Sequence, residues 1–576
     1  MQMKPHGLFF CLLDIHLALR PQFRRRAAGL LQRHSIKIVC SHEEKGYTML
    51  KRYCFAVITI TMIMHQSRGE DMNAGFVLKS DSFQHYIEEF NKTDQELYAQ
   101  VYPNSRAWEF LSTNIPFFEC PDKMMEKVYY FRWWTYRKHI KQTPDGYVIS
   151  EFLPPVGWAG KHNTISCAAG HHLYEGRWLH DPAYLENYSI FWFRKGGDPR
   201  NYSFWAADAM WARYLVNGNA ALVKDLLPDL VRNWEAWEKD HRDAGGLFWQ
   251  TDGSDGGEMS IGGGGYRATI NSYQYGDAVA IARIAQLAGQ TNLVGIFRER
   301  ALKIKQLVET RLWDTDANFF KILPRGDGKK LVDVREQYGL TPWYFNLPSP
   351  DKSVAWKQLM DTNGFYAPFG PTTAERRHPR FAVAYEGHEC QWNGPSWPYA
   401  TAVTLTSMAN LLNNYTQNAV SRKDYLDILE IYTKSHFLKR DDGMVLPWID
   451  ENLNPLTGDW IARTLLRQRK QKPDERGKDY NHSTYCDLVI SGLVGLRPRS
   501  DNVVEVNPLL PERAWPFFCL DNVLYHGAIL TIIWDESGTK YGKGKGLRVF
   551  ADGKEIAMSK TLSKVTAKIE VKAKGG

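Results

Sequence analysis

Residues 220–240, AALVKDLLPDLVRNWEAWEKD, decide the fold class. Leu222, Leu226, Leu230 and Trp234 recur about once per helical turn, so they share one face of an α-helix while charged residues occupy the other. Read outward from this stretch, the same pattern predicts helices over 82–92, 121–141, 181–194, 203–217, 270–288, 292–312, 397–414, 422–437 and 482–494, about ten to twelve in all. Asp181-Pro182 reads as a cap followed by proline in the first turn, and Gly218 and Gly289 stand where helices should stop. Helices in such close succession, each with an apolar face to cover, imply antiparallel hairpins. No fixed period runs through them, which weighs against a regular solenoid and leaves a closed ring of hairpins. After residue 499 the pattern changes to short strands at 503–506, 528–534, 546–550 and 566–571, separated by turns such as Asp552-Gly553, which predicts a small C-terminal β domain.

The 576 residues are 44% hydrophobic and 24% charged, a composition that buries a large core and excludes a disordered chain or a small binding module. The aromatic share of 13%, with 20 Trp and 29 Tyr, suits sugar or base stacking or an aromatic helical interior. The formal charge of +8 resides entirely in residues 1–69, which hold eleven Lys/Arg against three Asp/Glu. The remaining 61 basic and 61 acidic residues leave no polyanion footprint, so nucleic acid is not an expected partner. Within the basic segment, Lys51 and Arg52 precede the apolar run 53–64 and then Ser67-Arg68-Gly69, the order of a secretory signal starting at Met49. An Arg-rich transit peptide using Arg20 and Arg24 to Arg26 is the rival reading. The expectation is an exported protein, periplasmic or extracellular, with no membrane span after signal cleavage. Five cysteines lie beyond that segment (Cys120, Cys167, Cys390, Cys486 and Cys519), widely spaced and without any CxxC, so they are expected as small buried hydrophobes rather than disulfides or zinc ligands.

Three loops between helices gather carboxylates among glycines and aromatics. The first is 249–260, WQTDGSDGGEMS, leading into Gly262 to Gly265, Arg267 and Tyr273. A calcium site on Asp252, Asp255 and Glu258 misses the usual spacing, so no metal ligand is assigned there, nor on His171-His172 or His388. The second loop is 385–398, YEGHECQWNGPSWP, and the third is 448–459, WIDENLNPLTGD. Glycoside hydrolysis needs two carboxyl groups on opposite faces of a sugar ring and aromatic platforms against its apolar face. Loops at one end of a helical ring can supply both. Candidate substrate contacts are Trp205, Asp208, Trp249, Arg267, Tyr273, Trp392 and Trp397, with Arg177 and Arg200 as partners for an acidic sugar or a loop carboxylate.

The stretch 120–498 resembles the six-hairpin (α/α)6 glycosidases, specifically the mannosylglycerate-hydrolase-like branch related to glycoside hydrolase family 63. The resemblance rests on Glu175-Gly176-Arg177-Trp178-Leu179 with Asp181-Pro182, on 198–205 (DPRNYSFW) with Asp208, on Gly257-Glu258-Met259-Ser260, on 392–397 (WNGPSW), and on Glu451 ahead of 454–458 (NPLTG). It implies a mainly α (α/α)6 toroid, placed at 70–498; the strand pattern places an accessory β domain at 499–576, and the basic and apolar N-terminal segment a leader at 1–69. The resemblance also implies an inverting glycosidase without an organic cofactor, releasing a terminal α-linked hexose from an oligosaccharide or polysaccharide. Carried onto this sequence, Glu258 is the general acid and Glu451 the general base. Because the acid position holds Glu where the family has Asp, Asp255 is a rival acid. Two other readings stay open: a polysaccharide lyase recruiting Tyr273, His388 and Arg267, and a sugar-binding protein without catalysis.

Overall fold

The protein is described here from a computed structural model covering residues 77–473 and 475–570. The expected signal segment lies outside the described residues. From residue 123 onward twelve helical segments alternate between an outer and an inner position, six of each, with the short helix Ile461–Gln468 inserted ahead of the last inner one. The inner segments are Ala169–Gly176, Ala206–Asn217, Ala268–Leu287, the 3-10 helix Gln337–Phe345, Pro398–Asn414 and a π-helical turn at Leu488–Leu493. Each packs on the next. The ring closes where the Glu175 carboxylate accepts the backbone N–H groups of Tyr485, Cys486 and Asp487 at 2.8–3.2 Å, capping the start of the last inner segment with charge. The outer segments are Lys123–His139, Ala183–Arg194, Ala221–His241, Thr291–Arg311, the 3-10 helix Pro350–Gln358 and Arg422–Ser435. This is the (α/α)6 toroid, and the chain is mainly α.

The helices differ in how many of their sides are buried. Thr291–Arg311 buries one stripe, Phe297, Ala301, Ile304 and Val308, whereas Ala169–Gly176 is buried on nearly every side. The sequence pattern missed Ala169–Gly176 because it is only eight residues long as well as nearly all buried; Lys123–His139, just as buried, is long enough to be read. The 3-10 segments escaped for another reason: Gly339 and Pro342 interrupt the first, and Pro350 opens the second. Gly218 and Gly289 do adopt left-handed backbone, φ 68° and 72°, just beyond helix ends. The helix expected from Pro182 begins one residue later at Ala183, whose N–H donates to Asp181 Oδ1 at 2.9 Å.

The C-terminal sheet is antiparallel, in the order Phe117–Glu119, Phe517–Tyr525, Ala528–Asp535, Gly546–Ala551 and Lys554–Ser559. Its first strand comes from ahead of the toroid, with Phe118 paired to Leu520. Val503–Val506 and Val565–Lys568 pair separately. The sheet meets the toroid at the C-terminal end of an inner helix, where the His526 N–H donates to the Val216 carbonyl at 2.9 Å. Helical and sheet side chains share one continuous core. The N-terminal ends of the inner segments are left to the loops.

Candidate active site

Those loops enclose a cavity of about 240 Å³ at the N-terminal ends of the inner helices. Its wall brings together two of the three acidic loops and two segments that the sequence did not single out. Glu258, Trp392 and Trp397 line it, joined by Glu151, Arg476 and Tyr480.

The loop bearing Glu258 turns through Gly256, φ 66°, where an added Cβ would fall 2.6 Å from Cys167 Sγ, so glycine is required for both torsion and space. The Glu258 carbonyl then accepts the Trp392 N–H at 3.1 Å, which ties the first loop to the second. Burial pushes the Glu258 carboxyl up to about 7, and the charge of Glu451 adds to the rise. The Trp392 and Trp397 rings stack at 4.4 Å and 11°, with Tyr338 on the other face of Trp392 at 5.0 Å. Trp397 is fixed by its indole N–H donating to the Gln391 carbonyl at 2.7 Å.

Glu451 is fully buried and stands directly behind two lining residues. One carboxylate oxygen accepts Arg476 Nε at 3.1 Å and Nη2 at 2.6 Å, and the other accepts the Cys390 thiol at 3.2 Å. The backbone on either side is held as well: Asp450 Oδ1 accepts the Glu451 N–H at 2.8 Å, and Leu453 exchanges backbone hydrogen bonds of 3.0 Å with Ser396. Asn454 Oδ1 accepts from Leu456 N at 3.0 Å, and Gly458, φ 79°, closes the Asn-Pro-Leu-Thr-Gly turn. Cys390 is therefore a hydrogen-bonding neighbour of Glu451 rather than inert filling, while Cys120, Cys167, Cys486 and Cys519 are buried free thiols.

Several expected site residues lie elsewhere. Asp255 is fully buried and does not line the cavity; Arg267 Nε donates to its Oδ2 at 2.7 Å, and Thr269 donates to the same oxygen. Burial raises the Asp255 carboxyl and the Arg267 charge opposes that rise. Arg267 also donates to Ser260 and to the Gly263 carbonyl, so this pair braces the first loop from inside. Trp205 and Tyr273 are not platforms. They fill the axis of the ring with centroids 5.0 Å apart, and a Cβ at Gly170 would fall 2.3 Å from Trp205 Cε2. Trp249 sits outside the cavity between the His241 ring, 4.6 Å away, and the Arg325 guanidinium, 3.9 Å from its centroid. Asp208 accepts the Tyr174 hydroxyl at 2.6 Å and lines a second cavity, of about 380 Å³, toward the C-terminal ends of the inner helices. Arg177 is spent in that second cavity on Asp487, 2.8 Å away.

Glu151, Arg476 and Tyr480 are the residues that sequence reasoning missed. Glu151 follows the strand Gly146–Ile149 and is buried, its Oε1 accepting the Tyr480 hydroxyl at 2.5 Å. Burial pushes its carboxyl up to about 8, against the pull of the Tyr480 bond and with the charges of Glu451 and Glu258 adding. Three carboxyl groups thus feel one another at this cavity. Among the described residues no group of three or more His, Cys, Asp or Glu is arranged to hold a metal ion, so Asp252, Asp255 and Glu258 do not converge on one. No helix among them is long and apolar enough to cross a membrane.

A ring of six helical hairpins with buried carboxyls and stacked tryptophans at one mouth is the architecture of the toroidal glycoside hydrolase class. The family model of the mannosylglycerate hydrolase MGH1-like glycoside hydrolase domain matches residues 161–483, and the chain belongs to that family. A model of the C-terminal domain of glycosyl hydrolase family 65 matches residues 496–558. Among solved structures, one described as a sialidase is 45% identical with a TM-score of 0.79, over 85% of this chain and 45% of that one. This chain therefore spans less than half the length of that relative. A GH63 mannosylglycerate hydrolase from Thermus thermophilus in complex with glucose is 12% identical, TM-score 0.44, over 59% of this chain and 95% of that one. A GH78 family rhamnosidase of Bacillus sp. GL1 is 12% identical, TM-score 0.49, over 73% and 40%.

Proposed function

We propose that the protein hydrolyses the bond to a terminal α-linked hexose of an oligosaccharide or polysaccharide, with inversion of configuration. The observation that carries this reading is the contrast between Glu258, on the cavity wall, and Glu451, directly behind the lining residues Cys390 and Arg476. Burial holds Glu258 protonated to about neutral pH, while Arg476 gives the Glu451 charge a partner at 2.6 Å. Glu258 gives its proton to the glycosidic oxygen as the bond to the anomeric carbon breaks. Glu451 takes a proton from the water that attacks the opposite face of that carbon. A carboxyl separation of about 6.5–9.5 Å belongs to this route, against about 5 Å for a covalent one. The mutually stacked Trp392 and Trp397 supply an apolar part of the wall, and the reaction uses no organic cofactor. The helical part to residue 498 carries the catalysis, the strands beyond it are accessory, and the protein works after export.

Aryl glycosides and natural oligosaccharides, with the product anomer followed by NMR, test the reading. Inverted product from the wild type, lost in Glu258→Gln and in Glu451→Gln, fits it; a retained anomer overturns inversion, and binding without turnover favours the non-catalytic reading. The lyase reading loses support because Arg267 and Tyr273 lie away from the cavity that His388 lines. The relative described as a sialidase raises an acidic sugar as a second reading.

A further inference from the structure

The charges on the cavity wall speak to that second reading. Three lining residues are carboxylic, Glu151, Glu258 and Glu389, and Arg476 is the one guanidinium among the described lining residues. Its three nitrogens are already committed: Nε and Nη2 to Glu451, and Nη1 to Glu389 at 3.1 Å. Arg469, the other cation at this corner, donates to Glu389 and to the Gly387 carbonyl. Of the two lining histidines, burial keeps His482 neutral, and His388 Nδ1 lies 3.0 Å from the Cys390 backbone nitrogen and 3.2 Å from its carbonyl oxygen. A sugar carboxylate entering here gives up its water and meets no unpaired arginine or lysine among the described lining residues, which costs far more than placing a hydroxyl.

Glu151 is the residue on this wall that is built to meet a hydroxyl. Tyr480 occupies Oε1, no cation pairs with the group, and the neighbouring Phe152 and Tyr480 rings lie 4.6 Å apart. A carboxyl so placed offers a sugar hydroxyl both a donor and an acceptor. Resting on the glycosidase reading of this same cavity, we propose that its occupant is an uncharged sugar, that Glu151 hydrogen-bonds one of its hydroxyls as a specificity-determining residue, and that carboxylated sugars are shut out.

The test is calorimetric binding to the full chain at pH 7, using glucose against glucuronate, galactose against galacturonate, mannose against mannuronate, and sialic acid. Saturable binding is expected for at least one uncharged sugar, with each carboxylated counterpart weaker by about a hundredfold or more. Glu151→Ala should weaken that uncharged sugar about tenfold, and Glu151→Gln, which keeps a donor and an acceptor, should weaken it less. Thermal unfolding of both variants checks that they are folded; if the alanine variant is not, the glutamine variant against wild type decides. Binding of a carboxylated member as tight as its uncharged counterpart overturns the proposal, as does binding of neither kind or an unchanged affinity in both variants. Failure of the glycosidase reading looks different, since an uncharged sugar would then bind while no glycoside in the hydrolysis panel is cleaved.

Discussion

The toroid has two mouths, and both hold carboxylates, arginines and aromatic rings. At the C-terminal mouth Asp487 receives Arg177 and the indole N–H of Trp178, while Asp208, its carboxyl raised by burial, receives the Tyr174 hydroxyl. At the N-terminal mouth burial leaves Glu258 and Glu151 with no cation of their own and their carboxyls raised to about 7 and about 8. The C-terminal cavity is the larger, about 380 Å³ against about 240 Å³, so size does not mark the chemistry. Nor does a raised carboxyl by itself, since burial raises Asp208 as well; what marks the N-terminal mouth is that Glu258 sits on a loop that backbone bonds fix, beside stacked tryptophans and with Glu451 behind the wall.

The sharpest way to break this contrast is to remove one carboxylate from each mouth. Glu258→Gln should lower kcat by about a thousandfold or more with little change in unfolding temperature. Asp487→Asn should instead cost about 3–5 kcal/mol of stability by stranding Arg177, with the kcat of the protein that stays folded unchanged. Thermal unfolding and initial rates on both variants decide; equal rate losses would erase the distinction. The pH profile comes next. Glu258 must be protonated to act, so kcat should fall as pH rises through about 7, and that limb should disappear in any residual activity of Glu258→Gln.

Stability carries the same signature with its own sign. Glu151 binds its proton more tightly folded, to about 8, than in an unfolded chain, to about 4.5, so its contribution is fully present below the lower value and is lost as pH rises toward the upper one. Chemical denaturation between pH 5 and pH 8 should show wild type losing more stability than Glu151→Gln. Smaller still is the response of the aromatic wall. Trp392→Ala should weaken sugar affinity about tenfold, whereas Trp249→Ala, outside the cavity, should change it less than about threefold.

Ala221–His241 and Thr291–Arg311 were legible because each wets one face, Lys123–His139 by its length although it is buried nearly all round, and the Glu258 and Glu451 loops because glycine and proline accompany their carboxylates. The sequence misled where a residue type has two uses. Trp205 and Tyr273 read as sugar platforms, yet a ring of inner helices has an axis to fill and they fill it. Asp255 read as a rival acid, but its carboxylate serves Arg267. Arg476 was hidden in 470–479, KQKPDERGKD, a run whose charge reads as a solvated turn until the tertiary fold lays it across the cavity. Glu151 is a single acid between apolar residues ahead of Pro154 and Pro155, with no motif around it.

The clasp of Glu175 on residues 485–487 spans 310–312 positions of chain. A nascent polypeptide cannot make it until nearly the whole toroid has left the ribosome, so the early hairpins wait in water with one flank uncovered. Protease sensitivity of stalled chains ending before 485, set against chains that include it, would show how much of their order depends on the last hairpin's arrival.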